Sequence, residues 1–133
     1  MKIVIDSNVF ISSFFYGGNP RKVFDRVTNG LDDLYISDEI LIEIASVMSR
    51  PKFDVTKQKI EEYIKIIEYF SLKIIPQKII ETIVRDKADH IIIQCAYESN
   101  AKFIVTGDND LLVLKEYENI QIVNPKQYLD IIG

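Results

Sequence analysis

The sequence predicts an α/β sandwich, a central parallel sheet of four or five strands flanked by helices. Short apolar, strand-like runs alternate along the chain with longer segments of helical periodicity. Cap and turn residues separate them, and no internal repeat, low-complexity stretch or Pro/Ser-rich linker interrupts the alternation. At 133 residues, 47% hydrophobic and 27% charged, the chain reads as one globular domain over 1–133, with length for a sizeable core.

Each element has its own signal. Lys2 to Ile5 is a buried strand that runs directly into the polar triplet Asp6-Ser7-Asn8. An apolar stretch from Asn8 to Phe15 then ends at the turn Tyr16-Gly17-Gly18. Asn19-Pro20 predicts an N-cap with proline at the first helical position, for a helix to about Thr28 that Asn29-Gly30 closes. Leu34 to Ile36 is the second strand. Ser37 or Asp38 caps a helix that runs through Ser49 and is stopped by Pro51.

From Thr56 to Phe70, Ile60, Tyr63, Ile64, Ile67 and Phe70 fall at helical spacing. Leu72 to Ile75 is a strand ended by Pro76, and residues 86–99 are a helix. Residues 102–106 form a strand, followed by a short helix around Leu111 and Leu112. A strand over Ile120–Val123 and a helix from Pro125 complete the chain.

The composition excludes several functions. No apolar run approaches the roughly 18 residues of a membrane span. Lys2 leads straight into a strand, so no signal peptide is expected. The single cysteine, Cys95, lies in an apolar segment and reads as a small core residue of a cytoplasmic protein. Sixteen bases against twenty acids, a net charge of −4, argue against a general nucleic-acid coat protein. The distribution is uneven: residues 31–49 hold five acids and no base, whereas residues 50–78 hold seven bases and four acids. A local basic stretch of that kind is compatible with nucleic-acid binding.

In a parallel sheet, ligands gather at the carboxyl edge of the strands. Asp6 stands at the end of the first strand, where it is also suited to cap the next helix. Glu43 borders the apolar arc that Ile40, Ile44, Val47 and Met48 form. Asp89 is the anomaly. With Ile92, Ile93 and Ala96 at i+3, i+4 and i+7, it lies in the middle of an apolar stripe. Asp86 reads as the N-cap of that helix, and His90 falls on its polar side. Asp108 and Asp110 follow the strand that ends at Thr106.

Carboxylates collected at one edge raise one another's pKa unless a cation joins them. An all-oxygen donor set suits magnesium or manganese, one ion or two. Such ions activate water and stabilise the leaving oxygen of a phosphodiester. The acids therefore point to metal-dependent phosphoryl chemistry.

Four motifs carry a resemblance: IDSNVFIS at 5–12, SRPKF at 49–53, RDKADHIIIQCA at 85–96 and IVTGDNDLL at 104–112. In order and spacing the chain resembles the PIN-domain nucleases, within them the VapC-like toxins of bacterial and archaeal toxin–antitoxin pairs. The resemblance implies a three-layer Rossmann-like PIN fold and Mg2+- or Mn2+-dependent RNA cleavage that leaves a 5′-phosphate. It also implies dimerisation and an antitoxin partner.

Carried over by position, the family's acids fall on Asp6, Glu43, Asp89 and Asp108, with Asp110 a further metal-binding acid. Ser7, Asn8 and Thr106 match the residues that orient them. One departure stands out: Lys87-Ala88 occupy positions where the subgroup often has proline and another acid.

The expected mechanism makes Asp6 the central metal ligand, with Asp89 and Asp108 beside it and Glu43 joining directly or through water. Arg50, Lys52, Arg21 and Lys22 are the expected contacts to the RNA backbone, and Phe14-Phe15-Tyr16 is a candidate stacking surface, with at least two of the three expected to pack in the core instead. Two other classes are weighed. A dehalogenase-like phosphotransfer domain needs a second aspartate where Asn8 stands, and a receiver-like one needs an acidic pair at or before that point and a lysine after a late strand; neither signature is present. A catalytically silent PIN domain that only binds RNA or protein is disfavoured by the complete acid set.

Overall fold

A computed structural model of the chain describes residues 1–77 and 86–133. Lys78, in the basic stretch, and Arg85, which opens the RDKADH motif, lie outside the described residues. The elements run β1 (Lys2–Ile5), α1 (Ser7–Phe15), α2 (Gly18–Thr28), β2 (Asp33–Ile36) and α3 (Asp38–Met48). A 3-10 turn (Pro51–Phe53) leads to α4 (Lys57–Tyr69), β3 (Ser71–Lys73), α5 (Lys87–Ser99), β4 (Phe103–Val105) and α6 (Asn109–Leu112). The chain ends with β5 (Glu116–Tyr117), β6 (Ile120–Val123) and α7 (Pro125–Ile132).

The five predicted strands all form, in one sheet of order β3-β2-β1-β4-β6-β5. The expected count of four or five is one short, because β5 adds an antiparallel edge through Glu116↔Gln121 and Tyr117↔Ile120. A two-residue strand carries too little pattern to be read from sequence. Its return also places Glu118, not a glycine, in left-handed backbone at φ 53°. Among the described residues all other pairings are parallel.

Caps behave largely as their residue types require. Thr56 accepts from Lys59 N at 3.2 Å to start α4, and Asp86 accepts from Ala88 N at 2.8 Å to start α5. Asn124 and Gln127 form a reciprocal capping box at α7. One prediction shifts. Helix α2 begins at Gly18 with Gly17 as its cap at φ 73°, two residues before the predicted cap Asn19. Pro20 then lies in the first turn, where its missing N–H has no intrahelical acceptor to lose. Ser37 holds the cap position of α3, and among the described residues its buried hydroxyl finds no partner.

Ile3, Val4 and Ile104 are fully buried, as the two central strands β1 and β4 require. Helix α5 lies across β1, β2 and β4, and Tyr63 on α4 donates to Phe10 O at 2.7 Å to tie α4 to α1. Cys95 is buried, and burial pushes its thiol up to about 12, which leaves it unreactive. Among the described residues no helix is long and apolar enough to cross a membrane.

The strand order carries one consequence for function. From β1 the chain steps outward through β2 to β3, and then returns to place β4 on the other side of β1. The reversal falls between β1 and β4, and in open α/β sheets the crevice at that point is where ligands sit.

One buried carboxylate lies away from this edge. Asp32, with its side chain fully buried, accepts from Arg26 Nε at 2.8 Å and Nη2 at 3.3 Å. Substituting Arg26→Met removes this two-pronged partner. The expected loss is about 3 kcal/mol of unfolding free energy, seen in urea as a lowered midpoint at unchanged slope.

Candidate active site

The site begins where β1 ends. Asp6 N donates to Val105 O at 2.9 Å, so the ladder between β1 and β4 runs one residue past Ile5 before the chain turns into α1. Asp6 caps that helix, and its side chain is held from both sides. Oδ1 accepts from Ser7 N at 2.7 Å, and Oδ2 accepts from Thr106 Oγ1 at 2.7 Å and Asn8 Nδ2 at 3.3 Å. Burial pushes the Asp6 carboxyl above its ordinary range, against the opposing pull of the Thr106 and Ser7 hydrogen bonds.

Two polar bridges cross the switch point. Thr106, fully buried, donates to Asp6 and accepts from Asp108 N at 3.0 Å. Asn8 donates to Asp6, and its Oδ1 accepts from Gly107 N at 3.1 Å. Each bridge links the polar triplet after β1 to the turn after β4. Asp108 caps α6 by accepting from Asp110 N at 2.9 Å.

Helix α5 supplies the third acid. Asp89 is 6% exposed, as its place in the apolar stripe requires. Burial comes first in raising its carboxyl to about 7, and the charge of Asp108 and a hydrogen bond shared with it come next. Asp86 and Asp6 add smaller contributions. Asp6, Asp89 and Asp108 each offer an oxygen within 4.8 Å of the other two.

The pocket around them holds about 210 Å³. It is smaller than the groove of about 460 Å³ between α3 and α4, so chemistry and not size singles it out. Ser7, Asn8, Glu43 and Arg50 complete its polar wall. Glu43, half-buried on α3, faces the pocket but stands outside the tight trio.

Asp86 also lines it, a position whose sequence signal is only that of a helix cap. Its location one turn before Asp89 is the signal that could have placed it there. Asp110 is exposed on α6 and does not line the pocket.

Of the four expected RNA contacts, Arg50 alone reaches this wall. Arg21 pairs with Asp25 at 3.3 Å, Lys22 is exposed on α2, and Lys52 Nζ lies 5.0 Å from the Phe53 ring centre. In the aromatic run, Phe14 packs on Tyr63 and Phe15 stacks on Phe53, whereas Tyr16 remains 80% exposed.

The donor set suits a hard divalent cation. All three clustered groups are carboxylates, and among the described residues none of them pairs with a basic side chain. Three like charges confined to so small a space are stable when a cation joins them.

A PIN domain profile matches residues 2–110, a span that contains every acid of the site. The chain belongs to the PIN domain family. The VapBC2 complex of Rickettsia felis, solved bound to a DNA fragment from their promoter, is similar in structure. It has a TM-score of 0.64 over 93% of this chain and 98% of that chain, at 16% sequence identity. That likeness shows the fold. No curated protein sequence matches the chain. The family expected from the four motifs is therefore the family found, and its fold brings Asp6, Asp89 and Asp108 of this PIN domain together.

The raised Asp89 carboxyl makes stability depend on pH. Its ordinary value lies near 3.8 and its folded value is about 7. Between those values the folded chain holds a proton that the unfolded chain has released, so stability falls as pH rises from 4 to 7. Thermal melts of the metal-free protein are expected to show Tm falling across that window. Asp89→Asn flattens the dependence and raises Tm at pH 8 by about 4 °C or more. A wild-type Tm that climbs from pH 5 to 7.5 contradicts the electrostatic account.

Proposed function

We propose that this PIN domain is a metal-dependent endoribonuclease that hydrolyses RNA phosphodiester bonds and acts as the toxin of a toxin–antitoxin pair. One observation carries the catalytic part: three carboxylate oxygens within 4.8 Å of one another at the point where the strand order reverses. Family membership supports chemistry on nucleic acid. The toxin role is supported by the motif resemblance and by the shared fold of the VapBC2 structure.

Asp6, Asp89 and Asp108 would hold magnesium or manganese, as one ion or two, with Glu43 joining directly or through water. Asp110, on the outer side of α6, is a more distant acid. A cation bound there would supply an acidified water as nucleophile and positive charge for the leaving oxygen. The chain's own residues do the rest. Thr106 and Asn8 hold Oδ2 of Asp6 and Ser7 holds Oδ1, so the central carboxylate keeps one orientation.

Release of the Asp89 proton prepares the trio for the ion, which makes cation binding tighter as pH rises through about 7. The protein works in the cytoplasm, as a homodimer, with an antitoxin as its inhibitory partner and a 5′-phosphate as its product end.

Two measurements test this. On a fluorescent RNA oligomer with Mn2+, Asp6→Asn, Asp89→Asn and Asp108→Asn are each expected to lose about 10³-fold in rate, and EDTA to abolish cleavage. Equal activity in wild type and Asp6→Asn, or cleavage that survives EDTA, rejects the proposal. Thr106→Val removes a hydrogen bond from Asp6 without removing a ligand. It should weaken Mn2+ binding, measured by calorimetry, by about 10- to 100-fold.

A further inference from the structure

Glu43, Val47 and Arg50 stand at i, i+4 and i+7 along α3 and its exit, and all three line the acid pocket. Pro51 explains why Arg50 ends there. A proline disfavours helical backbone in the residue before it. Arg50 therefore turns out of the helix at φ −63° and ψ 138°, although its amide still donates to Val47 O at 3.1 Å.

Five carboxylates share that pocket with it: Asp6, Glu43, Asp86, Asp89 and Asp108. Arg50 pairs with none of them. Among the described residues no carboxylate oxygen comes within 4.0 Å of its guanidinium. The three other cations expected to meet RNA lie outside the pocket wall.

An exposed arginine that lines an acidic pocket without pairing there is left for an anion that arrives with the substrate. We infer that Arg50 grips the non-bridging oxygens of the phosphodiester being cleaved, from the α3 wall, while the acid trio addresses it from the strand ends. This rests on the nuclease reading above and adds a residue to it. The planar fork matters as well as the charge. Two parallel N–H bonds fix a phosphate's orientation, whereas a lysine ammonium only attracts it. Arg50 thus orients the scissile group, and Lys52, outside the pocket, meets flanking phosphates only.

The test uses two readouts on the full chain, with Lys126→Ala as a charge-matched control from α7, where Lys126 pairs with Asp130 at 3.1 Å. In cleavage of an RNA oligomer with Mn2+, Arg50→Ala is expected to lower kcat/KM about 100-fold, with most of the loss in kcat. Arg50→Lys recovers only part of it, and Lys52→Ala acts mainly on KM.

In RNA binding by the Asp108→Asn protein, adding Arg50→Ala should flatten the slope of log K against log salt by about 0.7, one phosphate's share on a single strand. Arg50→Ala within about twofold of wild type, or Arg50→Lys equal to wild type, overturns the inference while leaving the nuclease reading intact. If wild type does not cleave at all, the nuclease reading fails. The salt slope then decides Arg50 alone: a lost phosphate supports the contact, and an unchanged slope overturns it.

Discussion

The hydrogen bond from Thr106 Oγ1 to Asp6 Oδ2, 2.7 Å long and buried between two parallel strands, is the contact on which the site depends. It joins residues a hundred positions apart. It is possible only because β4 returns to lie beside β1 after the chain has built β2 and β3 on the other side. The same threonine accepts from Asp108 N, so one hydroxyl sets the distance between two of the three acids. Asn8 repeats the linkage through Gly107. A carboxylate held this way has little freedom to swing aside when the charge near it changes.

That rigidity works against the protein's own electrostatics. Burial and mutual repulsion raise the Asp6 and Asp89 carboxyls, and Asp89 reaches about 7 because burial is joined by the nearby Asp108 and Asp86. Such an arrangement costs stability in the absence of a cation, and the fold tolerates it because the surrounding core is extensive. Helix α5 illustrates the compromise. Ile92, Ile93 and Ala96 bury its inner face, and Asp89 shares that face one turn earlier. The apolar residues anchor the helix across β1, β2 and β4, and the anchoring fixes where the acid points.

Much of this is legible in the chain itself. Asp89 is conspicuous because helical periodicity puts a charge on an apolar stripe, and a local rule of that kind needs no tertiary information. Asp6, Asp108 and Thr106 are legible as strand-end polar residues, and Glu43 as the border of an arc. Five strands can be read because each is a dense apolar run. Other features are hidden. Strand β5 is too short to show a pattern, Gly17 displaces the predicted cap of α2, and Asp86 serves two roles of which only capping has a local signature. Asp110 looks equivalent to Asp108 in sequence, but it lies two residues further along a short helix whose exposed side it occupies.

By itself the sequence determined the class of fold through local periodicity and caps, pointed to the family through the resemblance of its motifs, and marked the candidate acids. Only the tertiary structure decided which acids meet. Three share a space of 4.8 Å, Glu43 borders it, and Asp110 stands apart. It also separated Arg50 from Arg21, Lys22 and Lys52, four cations that look alike in the chain. The physical reason is that a sheet's strand order and the packing angle of its helices are long-range quantities. Side chains distant in sequence meet at the switch point between β1 and β4, and no local window of residues contains that distance.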